Sequence, residues 1–293
     1  MTAGLSKAQL PERTAFVLAG GGSLGAVEVG MLQALLAWGE VPDFIVGSSA
    51  GAINAAYLGA DPTVAGAQAL QQIWCALKRR EVLPITLGSV LGLLRHRDHL
   101  VNPTGLRRLL ERCLPYRRLE DAVLPVHIVA TDVLTGQEVL LSSGSVIDAV
   151  LASAAVPGVY PPVSINGRWL IDGGVANNTP ISVAVALGAT RVIVLPTGFA
   201  CALERAPSGI VSGAVHALSL LVARQLVRDA ERYANGAVSL HIVPSLCPLG
   251  VSPYDYSAAA VLIDRARTST RQWLHGGGLF ADGIPPQLRE HHD

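Results

Sequence analysis

Charge is scarce in this sequence: Asp, Glu, Lys and Arg make up only 15% of its 293 residues. The 22 basic and 22 acidic side chains cancel, which excludes a nucleic-acid binder held by bulk electrostatics. Aromatic residues are few, at 5%, and there are four cysteines. Cys75, Cys113, Cys201 and Cys247 lie far apart with no CxxC pair. That spacing excludes a zinc site and a dense disulfide framework, and it fits a reducing compartment. No run of 18 apolar residues escapes interruption by charge, Gly, Pro or Ser, so no membrane-spanning helix is expected. The opening MTAGLSKAQLPERT has neither the apolar centre nor the cleavage site of a secretory signal. The expected setting is cytoplasmic. The 30 glycines and 18 prolines are too dispersed for a fibrous or disordered chain.

What the chain has in quantity is apolar side chains, 50% of the total, with a mean hydropathy of +0.41. A chain of this length buries roughly 75% of its unfolded surface and needs no metal or disulfide to hold a core. The high hydropathy predicts a thick core, an apolar substrate cleft, or both. Short apolar runs alternate with longer helix-like segments, the pattern of an α/β fold with helices covering a mainly parallel sheet. Strands are expected at 15–19, 44–46, 125–131, 137–141, 168–171, 191–195 and 238–243. Helices are expected at 24–38 (closed by Gly39), from Ser49 to about Gly59, and at 63–78, 104–113, 145–154, 180–187, 208–233 and 257–273. Thr179-Pro180 reads as an N-cap followed by proline at the first helical position. No repeat or linker divides the chain, and a single domain is expected.

Residues 78–118 stand apart. They carry ten basic side chains against three acids, a local charge of +7, around an apolar stretch from Val82 to Leu94. Basic flanks on an apolar centre suit a face resting on anionic lipid, so peripheral membrane contact is expected here. A merely solvated surface excursion has the same composition.

Three short motifs fall at strand ends. Gly20-Gly21-Gly22-Ser23-Leu24-Gly25 follows the first strand and opens a helix. Its glycines let backbone N–H groups converge on an anion, aided by the helix dipole. A dinucleotide-binding turn has this spacing, but it wants an acid at the end of strand two, where this chain has Gly47-Ser48. Gly47-Ser48-Ser49-Ala50-Gly51 has the GxSxG form between a strand and a helix, the context in which a serine is strained and its Oγ lifted clear of the sheet. An α/β-hydrolase would place that turn after several strands and add a late histidine, and none of the histidines here is an obvious partner. Asp172-Gly173-Gly174 follows Arg168–Ile171, read as a parallel strand, which would put the carboxylate on the same sheet edge as the other two motifs. An aspartate there can take a serine proton directly, giving a dyad instead of a triad.

Together these motifs resemble those of the patatin-like phospholipases. The likeness rests on GGGSLG, on GSSAG running into AINAAY, on Ala152–Val163 (ASAAVPGVYPPV) and on DGG continuing as VANNTP. It covers residues 14–199, read as the acyl hydrolase unit, with 200–293 as a helical extension packed on the same domain. The resemblance implies a three-layer α/β/α fold and serine acyl hydrolysis of lipid esters without metal or other cofactor. It assigns Ser49 as nucleophile, Asp172 as base and the Gly20, Gly21 and Gly22 amides as the oxyanion hole. Gly25, Gly47, Gly51, Gly173 and Gly174 support the motifs. The chain departs from the pattern at Leu24, where many members carry a basic residue, so neutral and lyso-lipid esters stand beside phospholipids as candidate substrates. Two alternatives share these residues: acyl transfer from the same acyl-enzyme, and a lipid-binding module with a vestigial site.

Overall fold

The computed structural model describes residues 11–82, 100–198, 210–234, 236, 238–247 and 251–280. In chain order the elements are β1 (Thr14–Leu18), α1 (Gly25–Trp38), β2 (Phe44–Ser48), α2 (Ala50–Ala60), α3 (Val64–Ala76), α4 (Arg79–Val82) and α5 (Thr104–Cys113). Next come β3 (Val126–Asp132), β4 (Glu138–Leu141), α6 (Val146–Ser153), β5 (Val163–Ile165), β6 (Arg168–Asp172) and α7 (Gly174–Asn177). The remainder are α8 (Ile181–Ala186), β7 (Arg191–Leu195), α9 (Ile210–Ala234), β8 (Ser239–Ile242) and α10 (Ala259–His275).

The strands form one sheet of order β5-β6-β3-β2-β1-β7-β8, with β4 also paired to β3. Neighbours from β3 to β8 are parallel, whereas β4, β5 and β6 are antiparallel to their partners. Alternate residues of each parallel strand enter different cores. Phe16, Leu18, Ile45, Ile128, Ile193 and Leu195 pack with α1, α2, α3, α5, α6 and α10 on one face. Ala15, Val17, Phe44, Val46, Val192 and Val194 pack with α8 and α9 on the other. Burial on both faces is why these strands are apolar at nearly every position, and it makes the three-layer α/β/α sandwich that the alternation of elements predicts. The helix α1 is buried almost all round because α10 packs along it on the side away from the sheet. It ends at Gly39 in the left-handed conformation (φ 100°), whose N–H returns to the carbonyls of the last turn.

Several expectations need correction. The strand carrying Asp172 is antiparallel to β3, not parallel to its neighbours. Its hairpin partner β5 has no counterpart among the expected strands. The expected Thr179 cap is displaced by one residue: Pro180 occupies the N-cap of α8 without a side-chain cap. Cys75 and Cys113 are free thiols, and Cys247 is disulfide-bonded. The apolar centre of the 78–118 segment falls almost wholly at 83–99, outside the described residues. Among the described residues no helix is long and apolar enough to cross a membrane.

Candidate active site

Register along β3 brings two distant motifs together. Ile128 and Val129 pair with β2 on one edge and β4 on the other. Ala130 and Thr131 pair with β6 on one edge and again with β4 on the other. Since β4 holds one edge throughout, β2 and β6 share the opposite edge and meet end to end there. Ser48 lies opposite Val129 and Asp172 opposite Ala130. The antiparallel direction of β6 is therefore what aims its last residue at the end of β2.

Ser49 alone forms the turn between β2 and α2, with φ 52° and ψ −117°. A residue with a Cβ pays about 1–3 kcal/mol for such a backbone, which persists only where its surroundings over-determine it. Ser49 N–H donates to Ser153 Oγ (2.8 Å), and the Ser153 hydroxyl donates to Val129 O (2.6 Å). Gly51 N–H donates to Ala19 O (3.1 Å), tying the first turn of α2 to the end of β1. Only glycine fits at 51, because a Cβ there would collide with the Leu18 carbonyl.

Ser49 Oγ donates to Asp172 Oδ2 at 2.6 Å. The second oxygen, Oδ1, accepts from Gly174 N–H (2.8 Å), while Asp172 N–H donates to Ala155 O (3.0 Å) and Gly173 N–H to Ser153 O (3.1 Å). Thr131 Oγ1 donates to Asp172 O (2.8 Å), so the backbone is held as firmly as the side chain. Burial pushes the Asp172 carboxyl up to about 6, against the hydrogen bonds from Ser49 and Gly174 that favour its charged form. It thus ionises near neutrality, as a general base requires.

The glycine turn lies beside this pair. Gly20 is fully engaged: its N–H donates to Asn178 O (3.0 Å), and its carbonyl accepts from Thr197 Oγ1 (2.7 Å) and Asn178 Nδ2 (3.2 Å). The Gly20 amide is therefore withdrawn from the expected oxyanion hole. The amides of Gly21 and Gly22 have no acceptor among the described residues. Gly22 has φ +59°, and a Cβ there would lie 2.5 Å from Pro253 O, so the turn needs glycine. The Pro253 carbonyl also accepts from Ser23 N–H (2.8 Å), which fastens the 251–257 loop over the turn. Gly25 opens α1, and Gly47 lies in β2 opposite Leu18.

Two cavities meet at Ser49, and Gly22, Val156, Pro253 and Tyr254 line both. One, of 90 Å³, runs between Ile53, Leu70, Ile73 and Trp74 on one side and Leu106, Leu109, Leu110 and Leu114 on the other. The second, of 220 Å³, is the mouth: it holds the glycine turn, Asp172, Asn178 and Thr197, with Leu24 and Val175 on its rim. Neither cavity is lined by a histidine among the described residues. His127 instead packs edge-on against Phe44 and hydrogen-bonds Ser142 (2.7 Å).

Sequence reasoning passed over Ser153, Asn178 and Thr197 as separate contributors. Ser153 and Asn178 lie within ASAAVPG and VANNTP, so their motifs carried a signal that their roles did not. Thr197 follows β7 with nothing local to distinguish it.

The family model for patatin-like phospholipases matches residues 16–185. The chain is 30% identical over 186 residues to patatin-like phospholipase domain-containing protein 7 of Mus musculus, covering 63% of this chain and 13% of that protein. It is 30% identical over 195 residues to an uncharacterized NTE family protein of Mycobacterium tuberculosis, covering 62% of this chain and 48% of the relative. The chain thus spans less than half the length of either. Among solved structures, human GIVD cytosolic phospholipase A2 in complex with methyl gamma-linolenyl fluorophosphonate aligns with a TM-score of 0.53 at 13% identity, over 95% of this chain and 58% of that one.

Proposed function

The chain belongs to the patatin-like phospholipase family, and from that premise we propose that it is a serine-dependent lipid acyl ester hydrolase working through a Ser49–Asp172 dyad. The observation that carries this reading is the place of Ser49 Oγ: it lies 2.6 Å from a buried carboxylate, where an apolar cavity meets a polar mouth. An acyl chain in the apolar cavity would present its ester carbonyl to Ser49 and leave its alcohol portion in the mouth. Asp172 takes the proton as Oγ attacks, and the Gly21 and Gly22 amides receive the oxyanion. Loss of one such donor typically costs about 3–4 kcal/mol of transition-state stabilisation. The protonated Asp172 gives its proton to the departing alkoxide. Ionised again, it activates the water that releases the fatty acid.

Leu24 puts an apolar side chain on the mouth where a cation would favour phosphate. Lyso-lipid and neutral-lipid esters therefore stand beside phospholipids in the substrate class. Labelling with a fluorophosphonate probe, with mass spectrometry to locate the adduct, tests the nucleophile. Modification confined to Ser49 and lost in Ser49→Ala is expected. Folded protein that stays unlabelled both with and without vesicles would overturn the reading and favour the binding module.

Membrane contact through residues 78–118 belongs to the same proposal. The described part of that segment supports it. Leu106, Leu109 and Leu110 of α5 are buried and wall the apolar cavity, while Arg108 and Arg112 are exposed on the outer side. Among the described residues, Arg107 alone of that helix is ion-paired, with Asp148 (2.6 Å). Co-sedimentation should be stronger with anionic than with neutral vesicles and should weaken as salt rises from 0.05 to 0.5 M, about the range over which screening shortens from over 10 Å to a few ångströms. Equal binding to both vesicle types would remove this segment from the docking surface.

A further inference from the structure

Behind the glycine turn and the serine turn lies a polar cluster that the chemistry above does not use. Glu28 of α1 is fully buried. Asn54 of α2, five residues beyond Ser49, donates through Nδ2 to Glu28 Oε2 (2.7 Å) and to Gly25 O (2.9 Å). Its Oδ1 accepts from Trp74 Nε1 of α3 (2.8 Å). One amide side chain thus joins the first turn of α1, the nucleophile's own helix and a third helix. Burial pushes the Glu28 carboxyl well above the ordinary carboxylate range, opposed by the hydrogen bonds of Asn54 and the Ala19 backbone. Its other oxygen, Oε1, is buried with no hydrogen-bond partner among the described residues. A thioether or alkyl side chain of the same length would avoid that cost, so packing alone does not account for an acid here.

We infer that Glu28, Asn54 and Trp74 form a positioning clamp, resting on the esterase reading above, that keeps the Gly21 and Gly22 amides in register with Ser49. Both ends of that register pass through the clamp. Gly25, whose carbonyl Asn54 holds, directly follows the glycine turn, and α2 begins at the residue after Ser49. The two helix starts touch: a Cβ at Gly25 would lie 2.9 Å from Ala50 Cβ and 2.9 Å from the Trp74 ring. Trp74 also walls the apolar cavity and stacks on Tyr256, with centroids 6.4 Å apart. The third member therefore fixes the turn, the serine and the acyl cavity to one ring. Misplacing a donor by about 1 Å can cost a hundredfold in rate without loss of binding, which is the effect such a clamp prevents.

The test compares wild type, Glu28→Gln, Glu28→Met and Trp74→Phe on p-nitrophenyl butyrate, with kcat, KM and melting temperature for each. Gln keeps an acceptor for Asn54, and its kcat is expected within about threefold of wild type. Met keeps the shape without the acceptor, and its kcat is expected to fall about tenfold or more with KM within about twofold. Trp74→Phe keeps a ring but removes the Nε1 donor, and a severalfold fall in kcat at constant KM is expected; it carries the comparison if Glu28→Met does not fold. Wild-type rates in Glu28→Met, or in Trp74→Phe where that variant stands in, overturn the clamp. So does a Gln variant that falls as far as Met, or a loss shared equally by kcat and KM. A wild type that neither hydrolyses the ester nor takes a fluorophosphonate overturns the esterase reading and the clamp with it, so the two failures are distinguishable.

Discussion

Asp172→Asn is expected to leave the fold intact, lower kcat by about 10⁴-fold and raise the melting temperature at pH 8. The rate loss follows from the proposed role, since an amide cannot take the Ser49 proton, and even in serine triads, where the carboxylate only orients the base, its removal costs about this much. The stability gain follows from burial. The carboxyl titrates at 3.8 when free and at about 6 in the folded chain, so holding it ionised costs the native state about 3 kcal/mol. The sign is that of a raised acid: the cost is absent below about pH 4, where both states are protonated, and complete above about pH 6. Asn should recover roughly 1–3 kcal/mol at pH 8, or a few degrees of melting temperature for a chain of this size, and nothing at pH 4. The same ionisation sets the wild-type pH profile. Below about pH 6, kcat/KM should fall tenfold per pH unit as Asp172 protonates, with a plateau above. A profile flat from pH 5 to 8 would remove Asp172 as the base, and a variant destabilised at pH 8 would refute the cost of its charge.

Much of the fold was legible because the parallel strands are buried on both faces. Thr14–Leu18, Phe44–Ser48 and Arg191–Leu195 stand out as short apolar runs bounded by glycine or charge, and the expected helices end within a few residues of the observed ones. Strand direction was not legible. Nothing in Arg-Trp-Leu-Ile-Asp says which way it runs, and the reading as a parallel strand failed for want of its partner. The missing signal was Asn166-Gly167 between Val-Ser-Ile and Arg-Trp-Leu. Both residues take positive φ (50° and 78°), as a two-residue hairpin turn requires, and this dipeptide favours that turn strongly. Recognising the hairpin would have given β5, made β6 antiparallel and explained how Asp172 faces Ser49.

Within the site, the residue types were legible and their commitments were not. Gly20, Gly21 and Gly22 look equivalent as a string, yet Asn178 and Thr197, more than 150 residues away, engage Gly20 on both sides. Such pairings are long-range and leave no local pattern. The same holds for Ser153, which reads as one small residue in ASAAVPG but, at the end of α6, holds the Ser49 amide. The clamp residue Glu28 would be read as an amphipathic helix's solvent face until Asn54 of α2 is seen to pack on it.

Ser49→Gly and Ser49→Ala should be equally dead, about 10⁵–10⁶-fold below wild type, but unequal in stability. Both remove Oγ and its hydrogen bond to Asp172, so the difference between them isolates the backbone. Ala keeps a Cβ at φ 52° and ψ −117°, where L-residues carry about 1–3 kcal/mol of strain. Gly adopts that conformation freely and loses instead about 0.5–1 kcal/mol of unfolded-chain entropy. The net is a Gly variant more stable than the Ala variant by about 0.5–2 kcal/mol, in the same direction as the ordinary N-cap preference for glycine over alanine. Chemical denaturation of the two proteins at one pH measures it, because Asp172 contributes alike to both. A Gly variant no more stable than Ala would mean that Ser153, Gly51 and Ala19 hold the turn without strain. The expected order means that the contacts around Ser49 keep Oγ at the junction of the two cavities against the preference of its own backbone, as Asp172 is kept ionised against the preference of its own burial.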